Sequence, residues 1–213
     1  MEHEPTWRHS ISDICRDFYN LSKKYSNTTY ENWSLEDDEM LNEESKKVSM
    51  ITVLNVEDAI REHKSNNGDK HLAWQSFKYH SSTNIEAKYW LGYYYYHEEV
   101  IELKPMSKEE RTKTAVGIFK ETADKGNPSA QLRYGMCLWK GEGIETDPFE
   151  ALKYFEMAAK LGNVAAMYAI GKAYWSGVNG IEQDRMLGAE FLKSAASKGH
   201  DKAKEMCISN DLL

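Results

Sequence analysis

Few residues of this chain are suited to act as nucleophiles or to hold a metal, and they are scattered. Cys15, Cys137 and Cys207 are odd in number and far apart, which indicates reduced thiols rather than disulfides or a zinc site. The stretch HEEV at His97 begins like a zinc-protease motif but lacks the second histidine four residues later. We therefore predict no catalytic residue, no metal site and no cofactor.

The composition argues against several classes of protein. The chain has 213 residues, of which 41% are hydrophobic and 12% aromatic, enough for a packed core. A formal net charge of −7 argues against nucleic acid as a partner, because proteins that bind it concentrate lysine and arginine. No apolar run approaches the length of a membrane span, and the first residues do not read as a signal peptide. We expect a cytoplasmic protein without membrane insertion.

An internal repeat of about 36 residues organises the larger part of the chain. The segments AKYWLGYYYY, AQLRYGMCLW and AMYAIGKAYW share a glycine with a large residue one place before it and another three places after it. These large residues lie on one face of a predicted helix, so the glycine lets a neighbouring helix approach closely. In the first segment, Leu91 and Tyr95 are the predicted core residues. The three glycines are Gly92, Gly135 and Gly171.

A second amphipathic helix follows in every unit, with Phe119, Phe155 and Leu192 at equivalent positions. Glycines are expected to close these helices in the left-handed conformation. They are Gly126, Gly162 and Gly199. Capping residues mark the starts of the same helices. They are Asp147 before Pro148, Asp184, and a capping box from Ser107 to Glu110.

These units resemble the Sel-one-like repeat (SLR) family, a relative of the tetratricopeptide repeats whose pattern opens with A-x-x-x-L-G-x-x-Y-x-x-G-x-G and closes with A-A-x-x-G. The match is best from Ala130 to Gly162 and nearly as good from Ala166 to Gly199. The unit that begins at Ala87 has a longer insert and no G-x-G. The resemblance implies an all-α fold, a right-handed α-α superhelix (a solenoid), here with a helical N-terminal appendage.

The resemblance also suggests how the chain is divided. Residues 70–213 are expected to form the solenoid, with a half-unit at 72–84, units at 87–126, 130–162 and 166–199, and a capping helix at 200–213. In the half-unit, Asn84 stands where the closing glycine is expected, because asparagine tolerates that conformation. Residues 26–69 are interpreted as an acidic linker followed by a helix that covers the apolar end of the solenoid.

Residues 1–25 resemble the last segment of a protein-kinase domain, whose pattern is W-x-x-x-P-x-x-R-P-S followed by an amphipathic helix. The matching residues are Pro5, Arg8, Ser10, Ile11 and Ile14. Met1 and His9 depart from the pattern, and the glycine-rich loop, the H-R-D loop and the D-F-G motif are not found in the sequence, so we expect no phosphoryl transfer. The resemblance implies a standalone remnant or the truncated C-terminal part of an SLR-tailed kinase.

In tetratricopeptide-like folds the first helix of each pair lines the concave surface, and the resemblance carries this geometry to the present chain. The candidate peptide-binding residues are Tyr89, Tyr93 and Tyr96, then Leu132, Met136, Trp139 and Lys140, then Tyr168, Lys172 and Trp175. Tyr96, Trp139 and Trp175 are equivalent, which predicts an aromatic ladder in a groove. The alternative is that these rings pack on adjacent helices.

We therefore interpret the chain as a non-catalytic scaffold or adaptor that binds a peptide or helix of another protein in this groove. The family resemblance implies adaptor roles in signalling, protein-quality control or cell-wall synthase activation, and we favour signalling. One alternative is the truncated kinase part described above. The other is an SLR hydrolase, which the lack of paired cysteines and of a convergent acid, base and nucleophile disfavours.

Overall fold

The computed structural model describes residues 53–97, 99–100 and 103–212, and helices are the only regular elements in these ranges. The chain from Thr52 to Leu213 forms one compact unit. Within the described ranges, no helix is both long enough and apolar enough to cross a membrane. The predicted N-terminal appendage and the acidic linker lie outside the described residues.

Nine helices follow one another in the described part of the chain, and each packs mainly against its neighbours in sequence. They are α1 (Val56–Lys64), α2 (Lys70–His80), α3 (Ile85–His97), α4 (Lys108–Asp124), α5 (Pro128–Lys140), α6 (Pro148–Lys160), α7 (Val164–Ser176), α8 (Arg185–Ser197) and α9 (Asp201–Ser209). The first helices of successive units are α3, α5, α7 and α9, and the second helices are α2, α4, α6 and α8. This alternation is that of a helical solenoid.

A three-residue junction turns the chain from a second helix into the next first helix. Its glycine has a φ between 85° and 93° at Gly126, Gly162 and Gly199, which confirms the predicted left-handed closure. The backbone N–H of the next residue donates to the carbonyl five residues earlier, and its side chain accepts from the first turn of the following helix. These capping residues are Asn127, Asn163 and His200.

The second helices begin at the capping residues that the sequence predicts. The side chains of Asp147 and Asp184 each accept a hydrogen bond from the backbone N–H three residues on. Ser107 accepts from the backbone of Glu110, whose carboxylate in turn accepts from the backbone of Ser107. The capping box at the start of α4 is therefore confirmed.

Asn84 does not close α2 in the left-handed conformation that its alignment predicts. The non-glycine residues with positive φ in the described ranges are Asn179 and Asp211. Asn84 instead caps α3, because its side chain accepts from the backbone N–H of Ala87 at 3.0 Å. A three-residue turn precedes it, where the later junctions have two residues before the cap, and this extra residue moves Asn84 from the closing position to the capping position.

The glycine of each first helix is where that helix comes closest to the second helix of its unit. A Cβ atom added to Gly92, Gly135 or Gly171 would lie less than 3.0 Å from a side-chain atom of the second helix. At Gly171 the obstruction includes backbone, since this Cβ would lie 2.9 Å from the amide nitrogen of Leu192 and 3.1 Å from the carbonyl oxygen of Gly188. The predicted close approach is confirmed.

The tyrosine run of α3 is buried differently from the prediction. Tyr94 has no exposed surface, whereas the predicted core residues Leu91 and Tyr95 are half-buried. Tyr94 stands at the repeat position held by Cys137 and Ala173, so a large ring fills a place where the later units carry small side chains. Aligning α3 with α5 and α7 places Tyr94 at the position of two small residues. A tyrosine is much larger than either, so the alignment alone does not indicate that it would be buried.

Helices α1 and α2 supply the partners that accommodate Tyr94. Its ring packs edge-on against Phe77 with centroids 5.8 Å apart, and its hydroxyl group lies 3.1 Å from Nδ1 of His63. His63 is 8% exposed and lies near the ammonium group of Lys70. Burial lowers the pKa of His63, and Lys70 lowers it further. Burial also raises the pKa of the Tyr94 hydroxyl, so both groups are neutral in the folded chain at neutral pH.

We predict that acidification destabilises the fold through His63. Because the pKa of His63 is lower in the folded than in the unfolded chain, the unfolded state binds the proton more tightly, and stability is lost as the pH falls below about 6.5. Each such histidine contributes a slope of at most about 1.4 kcal/mol per pH unit. Urea unfolding from neutral pH to about pH 5.5 measures this slope, and His63→Gln is expected to reduce it.

His97 also has a pKa lowered by burial, so the comparison includes His97→Gln and the double variant. An equal slope in the wild type and in His63→Gln would show that His63 does not contribute.

We predict opposite effects for two glycine-to-alanine substitutions. Gly171→Ala forces a methyl group against the backbone of α8 and is expected to cost about 1–3 kcal/mol. Gly117→Ala in α4 is the matched control, because its added Cβ meets nothing within 4 Å, and it should stabilise by up to about 1 kcal/mol through helix propensity. Urea unfolding measures both, and an equal change in the two variants would contradict the proposed close contact.

Candidate peptide-binding groove

A groove of about 870 Å³ opens on the face that the first helices α5, α7 and α9 present. We call it the first-helix groove. Its lining residues from α5 are Leu132, Met136, Trp139 and Lys140, and those from α7 include Tyr168, Ala169 and Lys172. Apolar side chains form most of its surface, and the polar ends of lysine and histidine side chains lie among them, as in many ligand-binding sites.

The groove exists because one repeat position becomes small at α7. This position holds Trp90 in α3, Arg133 in α5 and Ala169 in α7. Trp90 packs against the His63 ring of α1 at 4.6 Å between centroids, and the Arg133 guanidinium lies 5.3 Å from the centre of the Tyr93 ring of α3. Both side chains occupy the space next to the helix two places earlier in the chain, α1 for Trp90 and α3 for Arg133, whereas Ala169 borders the open groove.

Lysine side chains give the groove a positive charge. Lys140 is 3.6 Å from the carboxylate of Glu142, whereas Lys172 and Lys202 form no ion pair within the described ranges. Asp201 is the acidic residue among those that line the groove, and it lies 3.8 Å from the ammonium group of Lys204. The groove is therefore locally cationic on a chain of net charge −7.

The structure brings six of the ten candidate residues together. Leu132, Met136, Trp139, Lys140, Tyr168 and Lys172 line the first-helix groove. The other four do not line it. Tyr89 is 6% exposed and packs at 6.0 Å against the Phe119 ring, so its predicted place on the open face is wrong. Tyr93 lies beneath the guanidinium group of Arg133.

The predicted ladder of Tyr96, Trp139 and Trp175 is not formed within the groove. Tyr96 donates a hydrogen bond to the Glu142 carboxylate and lines a separate cavity of about 580 Å³. Trp175 lies under the guanidinium of Arg185 at the start of α8. Tyr96 and Trp175 are each held by a neighbouring side chain, Glu142 and Arg185, whereas Trp139 at the equivalent position lines the groove.

Several lining residues were not among the predicted ones. Phe155 of α6 borders the groove although it is largely buried, and its ring packs closely against Gly135. His200 stacks on Tyr168 with centroids 4.4 Å apart, and Lys202 follows it in α9. His200 has a sequence signal, since it stands three residues before Ala203, as Asn127 stands before Ala130.

The described thiols are buried. Cys137 is 2% exposed and Cys207 has no exposed surface. Burial raises the pKa of Cys137 to about 11, and the Glu142 carboxylate adds to this effect. Burial raises the pKa of Cys207 as well. Neither group is a thiolate at neutral pH, and a thiol without thiolate character is a poor nucleophile.

Two further expectations concern metals and kinase-like residues. No group of three or more histidine, cysteine, aspartate or glutamate residues within the described ranges is placed to hold a metal ion. The segment that resembles the end of a kinase domain, residues 1–25, lies outside the described residues.

The Sel1 repeat family model matches three segments, residues 85–102, 128–163 and 164–200. Each segment contains one of the packing glycines and begins at or next to the first residue of α3, α5 or α7. The chain contains Sel1 repeats. The SLR resemblance is therefore confirmed. In the first unit the match ends before α4, in keeping with the longer insert of that unit.

Curated relatives share these repeats over part of their length. The chain is 30% identical over 93 residues to chitin synthase regulatory factor 3 of Schizosaccharomyces pombe, covering 43% of this chain and 10% of the relative. It is 28% identical over 144 residues to the ERAD-associated E3 ubiquitin-protein ligase component HRD3A of Arabidopsis thaliana, covering 62% and 20%. It is 30% identical over 100 residues to the DAP3-binding cell death enhancer 1 of Rattus norvegicus, covering 47% and 19%. The chain thus spans a fifth or less of these relatives.

Solved structures show the same architecture. A Sel1 repeat protein from Oxalobacter formigenes superposes with a TM-score of 0.53 at 26% identity, over 63% of this chain and 96% of that one. The uropathogenic Escherichia coli antigen c5321, which displays an SLR fold, gives a TM-score of 0.57 at 26% identity, over 81% and 35%. The predicted all-α solenoid of SLR type is confirmed.

We predict that Cys137 and Cys207 resist modification while the chain is folded. Cys15 is replaced by serine so that only these two thiols report. Dithionitrobenzoate at mildly alkaline pH should label neither thiol in the native protein and both after unfolding in guanidinium, because both are buried. Rapid labelling of the native protein would contradict the burial of the thiols and reopen the possibility of a cysteine nucleophile.

Proposed function

We propose that this chain is a non-catalytic adaptor that binds a peptide segment of another protein in the first-helix groove. The observation that carries the proposal is the groove itself, where Ala169 leaves open a space that Arg133 fills one repeat earlier. The opening is flanked by Met136, an adaptable side chain, and by the ring of Trp139. Aromatic and methionine side chains of this kind are enriched where proteins bind one another.

The relatives support a role in protein association. Their names describe a regulatory factor of a synthase, a component of a ubiquitin ligase and a protein that binds DAP3. In each name the protein acts with or on another protein. By analogy, we propose that the present chain is an adaptor that associates with another protein and works in cytoplasmic signalling. The free thiols of Cys137 and Cys207 suit a reducing compartment.

We predict that a partner contacts the groove in cells. A photoreactive benzoylphenylalanine at Met136 should form a covalent adduct with another protein on irradiation, because Met136 lines the groove. Ala169→Arg is expected to abolish this adduct. It introduces at α7 the residue found at the equivalent position of α5, where Arg133 fills the space next to α3. Adduct formation is read by mass spectrometry.

Two controls match these changes. Ser197 of α8 is exposed and does not line the groove, so benzoylphenylalanine at this position tests for adducts independent of the groove, and Ser197→Arg adds the same charge elsewhere. Equal melting temperatures establish that Ala169→Arg still folds. The same adducts from positions 136 and 197, or adducts that survive Ala169→Arg, would place partner binding elsewhere.

A further inference from the structure

We infer that the first-helix groove selects an acidic peptide segment that carries a large apolar side chain. This inference rests on the proposed function and narrows its partner from any peptide to one of stated chemistry. It joins two observations that the groove combines, an apolar floor and a rim of lysines with few acidic partners.

The floor favours an apolar anchor. Leu132 and Met136 of α5 and Phe155 of α6 line one side, and Ala169 and Ala173 of α7 line the other. The alanines replace Arg133 and Cys137 of the preceding unit, so α7 contributes less side-chain volume here than α5 does. A leucine, phenylalanine or tryptophan side chain that enters this space buries its surface against apolar atoms, which is the main source of affinity in such sites.

The rim favours a negative charge next to that anchor. Lys140, Lys172 and Lys202 surround the floor on three different elements, and Asp201 is the acidic residue that lines the groove with them. Lys172 and Lys202 have no ion-pair partner in the described ranges, so a ligand carboxylate does not have to displace a carboxylate of this chain. Complementary rim charges act mainly on specificity and association rate, and a basic segment would be repelled.

His200 adds a hydrogen-bond donor to the same rim. Its Nδ1 atom accepts from the backbone N–H of Ala203 at 3.2 Å, which leaves the ring proton of the neutral imidazole on Nε2. Stacking on Tyr168 fixes the plane of the ring. The Nε2–H group and the two unpaired lysines are therefore all hydrogen-bond donors. A ligand carboxylate can accept hydrogen bonds from them, whereas a ligand ammonium group cannot.

The size of the groove favours a short segment. Its volume of about 870 Å³ is in the range of sites that enclose most of a small ligand. Folded domains bind over wider and flatter surfaces. The arginine side chain is preferred where a phosphate is held in a bidentate manner, and no arginine lines the groove. A carboxylate is therefore the anion that the groove fits best.

Selection from a display library of random short peptides on the full chain tests the inference. Enriched peptides should carry more aspartate and glutamate than lysine and arginine and should contain a large apolar residue. A fluorescein-labelled synthetic copy of the most enriched peptide serves as the probe for anisotropy titrations. We expect Lys172→Glu with Lys202→Glu to weaken its binding by about tenfold or more. Added salt should weaken binding to the wild type as well.

The matched control is Lys193→Glu with Lys198→Glu, which changes the net charge equally at exposed positions of α8 and its end that do not line the groove. It should change binding by less than about twofold. Neutral or basic enriched peptides, or equal binding by the two double variants, would overturn the inference. If such peptides still lose binding on Ala169→Arg, the proposed function stands without its acidic specificity. If no enriched peptide is sensitive to Ala169→Arg, both proposals fail.

Discussion

The contact on which the solenoid depends is the one between the two helices of a unit at the glycine of the first helix. At Gly171 and Gly188 neither α7 nor α8 carries a side chain, and an added Cβ on either glycine would lie within 3.1 Å of backbone atoms of the other helix. Helices this close fix their mutual rotation, since a small turn would bring side chains into collision. The rotation decides which residues of the first helix face their partner and which line the groove. Trp175, four positions after Gly171, therefore lies against Gly188 of α8, whereas Ala169 on the other side of α7 lines the groove.

The junction between units transmits this geometry along the chain. Asn127 joins the end of α4 to the start of α5, because its backbone N–H closes one helix and its side chain caps the next. Its amide group also donates to the Glu86 carboxylate of the preceding first helix at 2.7 Å. An aspartate would cap equally well but would offer no donor there. The Asn163 amide likewise donates to the backbone carbonyl of Pro128 in the preceding first helix at 3.3 Å. The units that begin at α5 and α7 are thus placed by hydrogen bonds to the preceding first helix as well as by burial.

The sequence predicts the parts of this fold that repeat. The period, the packing glycines, the closing glycines and the caps of the second helices are each specified by one residue type at a fixed spacing, and the structure confirms them. The errors fall where one unit differs from the others. The burial of Tyr94 depends on His63 and Phe77 from helices that the family model does not match, and Asn84 is displaced by one extra residue in its turn. The same holds for the candidate site. The helix face on which a residue lies can be predicted from the repeat, but whether a groove forms there depends on the sizes of side chains from several helices.

The position shared by Trp90, Arg133 and Ala169 shows how a repeat protein acquires a local site without changing its fold. Such a position lies on the first-helix face, away from the packing glycine, so its side chain is free to vary without disturbing the contact between the two helices of a unit. A large residue there fills the space next to the preceding first helix, and alanine opens it. The binding surface is therefore determined by departures from the repeat, whereas stability is determined by adherence to it. It follows that the glycines which recur in every unit of this chain carry architecture, whereas the residues that differ between its units on this face determine where a ligand can bind.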